Sequence, residues 1–210
     1  NRDPNRHEQN SLVQWSGLPF DIVQQVAKAL YGSEKAVDPV GKLTPYDPAK
    51  GRYAHFIDLH GVIKDSLTTC DWVFPVQTSP LKERNYTGDT SLEAKLFSAI
   101  TGKETSEKEL EQMAERCWNL HRAITLRQWG TKDLRNKHDK LADWYFIYPK
   151  DKAPFTPGGR LDPKDYEAAK DDYYKLCGWD PKTGAPTRAK LEAVGLKDVA
   201  DELAKLKLLP

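Results

Sequence analysis

The sequence predicts a mainly α-helical domain with long irregular loops. Three observations carry this. Apolar residues recur at three- and four-residue spacing in successive segments, capping residues stand at the segment ends, and no run alternates with period two over a useful length.

Residues 1–18 are polar and irregular. Pro19 opens the first helix, where Phe20, Val23, Ala27 and Leu30 keep helical spacing, and Gly32 stops it. Residues 33–52, rich in Gly, Pro and Lys, read as loop. The next helix carries Phe56, Leu59, Ile63 and Leu67 on one face and ends near Thr68-Thr69-Cys70. Residues 71–90 read as an extended loop, and Leu92, Leu96 and Ile100 form a short helix closed by Gly102.

Ser106-Glu107-Lys108-Glu109 is a capping box, in which a hydroxyl and a carboxylate each satisfy a free backbone donor. It predicts one long helix over 106–126 with Leu110, Met113, Cys117, Leu120 and Ile124 as the core-facing stripe. Residues 130–161 are loop-rich. Asp162-Pro163 is an N-cap followed by Pro at the first helical position, and Tyr166, Ala169, Tyr173 and Leu176 carry that helix to Gly178. Thr187 caps a further helix ending at Gly195. Leu196, Val199, Leu203 and Leu206 mark a last one.

Composition narrows the function. The 210 residues are 39% hydrophobic and 30% charged, enough for a real core under a wet surface. Lys+Arg is 32 against 31 Asp+Glu, a net charge of +1 that argues against nucleic-acid binding by phosphate neutralisation. No apolar run is long enough for a membrane span. Cys70, Cys117 and Cys177 are odd in number and widely spaced, so they form no disulfide framework, and a reduced, cytoplasmic setting is expected. With no CxxC pair the chain holds no zinc or iron–sulfur site alone, but it has cysteines to donate to one completed elsewhere. The chain opens Asn1-Arg2-Asp3-Pro4 and reads as the later part of a longer polypeptide.

Asp171-Asp172-Tyr173-Tyr174-Lys175-Leu176-Cys177-Gly178-Trp179-Asp180, Gly184-Ala185-Pro186-Thr187-Arg188, then Leu191 and Gly195-Leu196, resemble the carboxy-terminal signature of the tungsten-containing aldehyde ferredoxin oxidoreductase family. Upstream, Glu115-Arg116-Cys117-Trp118-Asn119-Leu120-His121-Arg122 with Leu126-Arg127 resembles the family's long helix, and Ile100-Thr101-Gly102 fits before it. Three ordered matches over residues 55–200 are a specific signal.

The resemblance implies a tungsten bis-pterin cofactor (tungstopterin) beside a [4Fe-4S] cluster. The family's late pterin motif, Asp-x-x-Gly-Leu-Cys, falls on Asp65-Ser66-Leu67-Thr68-Thr69-Cys70, with Thr68 and Thr69 where the family has Gly and Leu. It implies that Asp65 accepts hydrogen bonds from the pterin, that Thr69 lies against the cofactor and that Cys70 is the fourth cluster ligand. Losing the Gly removes easy access to positive φ, so a differently shaped turn is expected there. Asn1-Arg2-Asp3-Pro4-Asn5-Arg6-His7 is similar to a stretch that supplies a histidine near the metal, which makes His7 the candidate acid–base residue, with Glu8 beside it.

Blander readings stand beside these. A lone cysteine is ordinarily a small buried hydrophobe, and Cys117 and Cys177 are expected in the core. His55 and His60 are five apart, not the four of a helical metal pair, and with His121 and His138 they default to structural or surface roles.

The resemblance therefore makes residues 1–210 one helical carboxy-terminal domain, with 1–90 the active-site and cofactor-binding part and 91–210 the helical remainder. Its partners would be the rest of the same enzyme, carrying the other three cluster cysteines, and ferredoxin or an iron–sulfur electron-transfer subunit. The reaction would be oxidation of an aldehyde to a carboxylic acid, by an enzyme of which this fragment is inactive alone. Two alternatives are the tungsten subunit of an ATP-independent benzoyl-coenzyme A reductase and, from another class, a non-catalytic helical interaction module.

Overall fold

The computed structural model describes residues 16–39, 42–70, 73–147 and 160–210. Their elements are α1 (Phe20–Tyr31), α2 (Pro48–Leu67), α3 (Leu92–Thr101), α4 (Glu107–Trp129), α5 (Leu134–Lys137), α6 (Trp144–Ile147), α7 (Pro163–Cys177), α8 (Arg188–Ala193) and α9 (Lys197–Lys205), with 3-10 turns at Glu34–Ala36 and Lys82–Arg84. Among the described residues the only β pairing is two isolated bridges, Thr78 with Thr87 and Trp179 with Pro186. The protein is mainly α-helical, as its periodicity predicts.

Most helix ends follow local chemistry. Gly32, Gly102, Gly130 and Gly178 close α1, α3, α4 and α7 in the left-handed conformation. The capping box is present in full: Ser106 Oγ accepts from Glu109 N, and the Glu109 carboxylate accepts from Ser106 N at 2.8 Å. Asp162 and Thr187 cap α7 and α8. One start is earlier than the composition of 33–52 indicates, because Asp47 accepts from Ala49 N and Pro48 fills the first turn of α2.

Helix α2 is the centre of the packing. It lies against α1, α4 and α7. Ala49 joins Val23, Val26, Ala27 and Tyr31 of α1 in one apolar cluster. Leu59 and Ile63 join Ala94, Leu110 and Ala114 in a second. A third, around Leu126, Leu134, Leu191, Ala200 and Leu203, ties α4 to α8 and α9. Burying a side chain such as Leu126 contributes about 1.5–3 kcal/mol.

Two helix faces differ from the sequence expectation. In α4, Leu110 is buried, but Met113, Leu120 and Ile124 are 38%, 37% and 44% exposed, and Cys117 is exposed rather than in the core. The inward face carries Ala114, Asn119, Arg122, Ala123 and Leu126 instead. Two polar residues on that face have partners that make their burial affordable: Asn119 Oδ1 accepts from Trp179 Nε1 at 2.9 Å, and Arg122 Nε donates to Gly184 O at 2.9 Å. In α3, Leu96 and Ile100 face out while Glu93 and Ala94 are buried. Two further apolar positions, Leu176 and Leu206, are exposed, whereas Cys177 is in the core as expected.

Candidate functional site

Helix α2 delivers Asp65, Thr69 and Cys70 to one place, its carboxy-terminal end. Asp65 lies in the last helical turn and is exposed. Thr68 caps the helix at φ 55°, and the N–H groups of the cap and of Thr69 both return to Lys64 O. The turn is therefore left-handed although it lacks glycine, against the expectation of a different shape. A β-branched residue there carries strain.

Cys70 follows with its thiol exposed. Its carbonyl accepts from Val73 N at 3.1 Å and Phe74 N at 3.0 Å. The chain is then pinned by Gly88 N to Gln77 O at 2.9 Å and Ser79 N to Tyr86 O at 2.8 Å. Gly88 allows this closeness, since a Cβ there would sit 2.1 Å from Val76 O.

Three features of the turn fit a group supplied from outside. Asp65 has no hydrogen-bond partner among the described residues. Thr69 Oγ1 is buried and makes no hydrogen bond to a described residue. The Cys70 thiol stands open to coordination. A buried hydroxyl without a partner costs about 1–3 kcal/mol, a cost that a bound acceptor or donor removes. His7 lies outside the described residues.

A family model described as aldehyde ferredoxin oxidoreductase, domains 2 and 3, matches residues 2–196. The chain belongs to that family. Aldehyde ferredoxin oxidoreductases are redox enzymes that carry a metal–pterin cofactor and an iron–sulfur cluster. The match spans the Asp65–Cys70 turn and the signature around Trp179. No helix among the described residues is long and apolar enough to cross a membrane.

In this member of the family, sequence reading missed a second set of polar groups. A cavity of about 570 Å³ opens between α2, α4 and α7, lined by Asp58, Trp118, Arg122, Tyr173, Tyr174 and Trp179 among others. Tyr173 donates to Asp58, and Tyr174 donates to Asp139 Oδ2 at 2.6 Å. Burial and the neighbouring carboxylates raise both phenols well above the usual tyrosine range, so both stay protonated donors. Arg122 Cζ lies 4.3 Å from the Trp179 ring centre. No spacing signals this set, because its members come together only when α2, α4 and α7 pack.

The histidines divide. His121 is exposed, and His138 Nδ1 lies 2.7 Å from Asp139 Oδ1. His55 is half-buried, and burial lowers its pKa. His60 is 1% exposed and pairs through Nδ1 with Glu93, also 1% exposed.

Proposed function

We propose that this chain is the carboxy-terminal part of a tungsten bis-pterin, iron–sulfur oxidoreductase that converts aldehydes to carboxylic acids. It would work in a reduced, cytoplasmic compartment and pass electrons to ferredoxin or an iron–sulfur subunit. The overall change is aldehyde plus water to acid, two protons and two electrons. When bound, the metal–pterin and the cluster supply the redox chemistry, accepting the electron pair and passing the electrons on.

The chain's own residues bind and orient. Cys70, as a thiolate, would hold one iron of the cluster, whose other three cysteines lie in the preceding part of the enzyme. Asp65 would accept hydrogen bonds from the pterin's N–H groups, which suits a carboxylate that has no partner among the described residues. The Thr69 hydroxyl would complete its hydrogen bonding against the same cofactor. Because all three hang from one helix end, α2 would set pterin and cluster side by side. His7 would take the proton released from water or hydrate, since imidazole changes charge near neutral pH and Arg2 does not.

One observation carries the reading: an exposed carboxylate, a buried hydroxyl with no partner among the described residues and an exposed cysteine follow one another at the end of one helix in a family member. Cys70→Ser in the full enzyme tests it. Iron content should fall and the cluster's electron paramagnetic resonance signal should change or vanish. A full cluster with an unchanged spectrum would refute the assignment.

A further inference from the structure

We propose that His60, Glu107 and Glu111 form a binding site for a divalent first-row transition metal ion of the zinc or manganese kind. Glu93 would act as the group that orients the imidazole. The site is separate from the cofactor turn and does not depend on the function proposed above.

The geometry begins at the imidazole. His60 Nδ1 faces Glu93 Oε2, and both side chains are 1% exposed. In the neutral ring a carboxylate on Nδ1 holds the proton there and leaves Nε2 with a lone pair, the arrangement in which histidine serves as a metal ligand. Nε2 is buried and makes no hydrogen bond to a described residue. It points instead at two carboxylates: Glu111 Oε1 is the nearer, at 3.6 Å. One oxygen from each of Glu107 and Glu111 and one His60 nitrogen lie within 4.8 Å of one another.

At 3.6 Å the His60–Glu111 separation is longer than a hydrogen bond and close to that of two ligands sharing a cation. With metal–ligand bonds near 2.1 Å, tetrahedral ligands stand about 3.4 Å apart. Glu107 and Glu111 are four apart at the start of α4, so they rise on one helical face with both carboxylates on the same side. Charge points the same way. Two carboxylates, Glu107 and Glu111, gather at the imidazole that Glu93 already holds, and a divalent cation suits that set of anionic donors.

The donor set selects the ion. One imidazole and two carboxylates suit zinc, manganese or iron(II), whereas calcium and magnesium prefer oxygen donors alone. The ligands come from α2 and α4, and the orienting carboxylate from α3. The bound ion would pin three helices together, ten residues before Cys70 on the same helix that carries it.

The test uses the full enzyme with its cofactors, stripped of loosely held metal and dialysed against radioactive zinc. One equivalent should bind, and zinc-edge X-ray absorption should show one imidazole among oxygen donors. Glu111→Gln should weaken binding at least 100-fold and Glu93→Gln by about 10–100-fold, with iron content and circular dichroism unchanged. Glu111 is partly exposed, so its variant tests the site without opening the core. If zinc fails to bind, or if Glu111→Gln binds as well as the parent, the proposal falls and His60 is only the hydrogen-bonded partner of Glu93.

Discussion

Arg122 of α4 forms a two-pronged ion pair with Asp139: Nη1 donates to Oδ1 at 2.9 Å, and Nη2 donates to Oδ2. Arg122 is buried and Asp139 half-buried, with 8% and 17% of their side chains exposed. The pair brings the segment after α5 onto α4, and Tyr174 of α7 joins it through Asp139 Oδ2. Burial would raise the Asp139 carboxyl, but Arg122 and the hydrogen bonds from His138 and Tyr174 outweigh it and hold the pKa below the ordinary value.

Asp139→Ala should therefore cost about 3–5 kcal/mol, because it leaves a buried guanidinium without its anion. Urea unfolding measures this. The sign of the pH dependence follows from the depressed pKa: the contribution is present above about pH 4, the unfolded carboxyl's range, and is lost as pH falls through the folded value. The variant should show a shallower loss of stability in acid than the parent. Equal acid sensitivity in both would assign it to other carboxylates.

At Thr68, a left-handed conformation is occupied by a β-branched residue at φ 55°. Thr68→Gly should stabilise the chain by about 1 kcal/mol, since the left-handed region costs other residues about 1–2 kcal/mol. The offsetting term is glycine's greater freedom when unfolded. A loss of stability would mean that the Thr68 side chain supplies more than the strain removes.

The three cysteines should differ in reactivity. Cys177 is buried, and burial pushes its thiol up to about 12. At pH 8 in chain free of cluster, iodoacetamide should label Cys70 and Cys117 and spare Cys177 until denaturant is added. In the loaded enzyme Cys70 should be protected as well. Rapid native labelling of Cys177 would contradict the packing of α7.

His7→Ala in the full enzyme should lower turnover by roughly 10²–10⁴ with cofactor content intact, if His7 moves the proton. A loss confined to KM would make it a substrate-orienting residue instead.

Much of the proposed cofactor site was open to proposal from sequence because its parts are close in it. Asp65 and Cys70 are five apart on one helix end, and a helix end is a local event. The group at His60 was not legible. Its partners, Glu93 and Glu111, lie 33 and 51 residues away, and the i,i+4 signal sits on the carboxylates Glu107 and Glu111 rather than on two histidines.

By itself the sequence determined where most helices start and stop, since caps such as Ser106 with Glu109, Asp162 with Pro163 and Gly178 bond within a few residues of themselves. It also determined the helical class, through period and the lack of alternation. Only the tertiary structure decided which face of α4 turns inward. A heptad-like row through Met113, Cys117, Leu120 and Ile124 reads as core, yet burial goes to the face whose polar residues find partners. Asn119 is met by Trp179 and Arg122 by Asp139 and Gly184, residues brought there from up to 62 positions away. Burying a polar group costs little once its hydrogen bonds are supplied, and local periodicity holds no record of who supplies them.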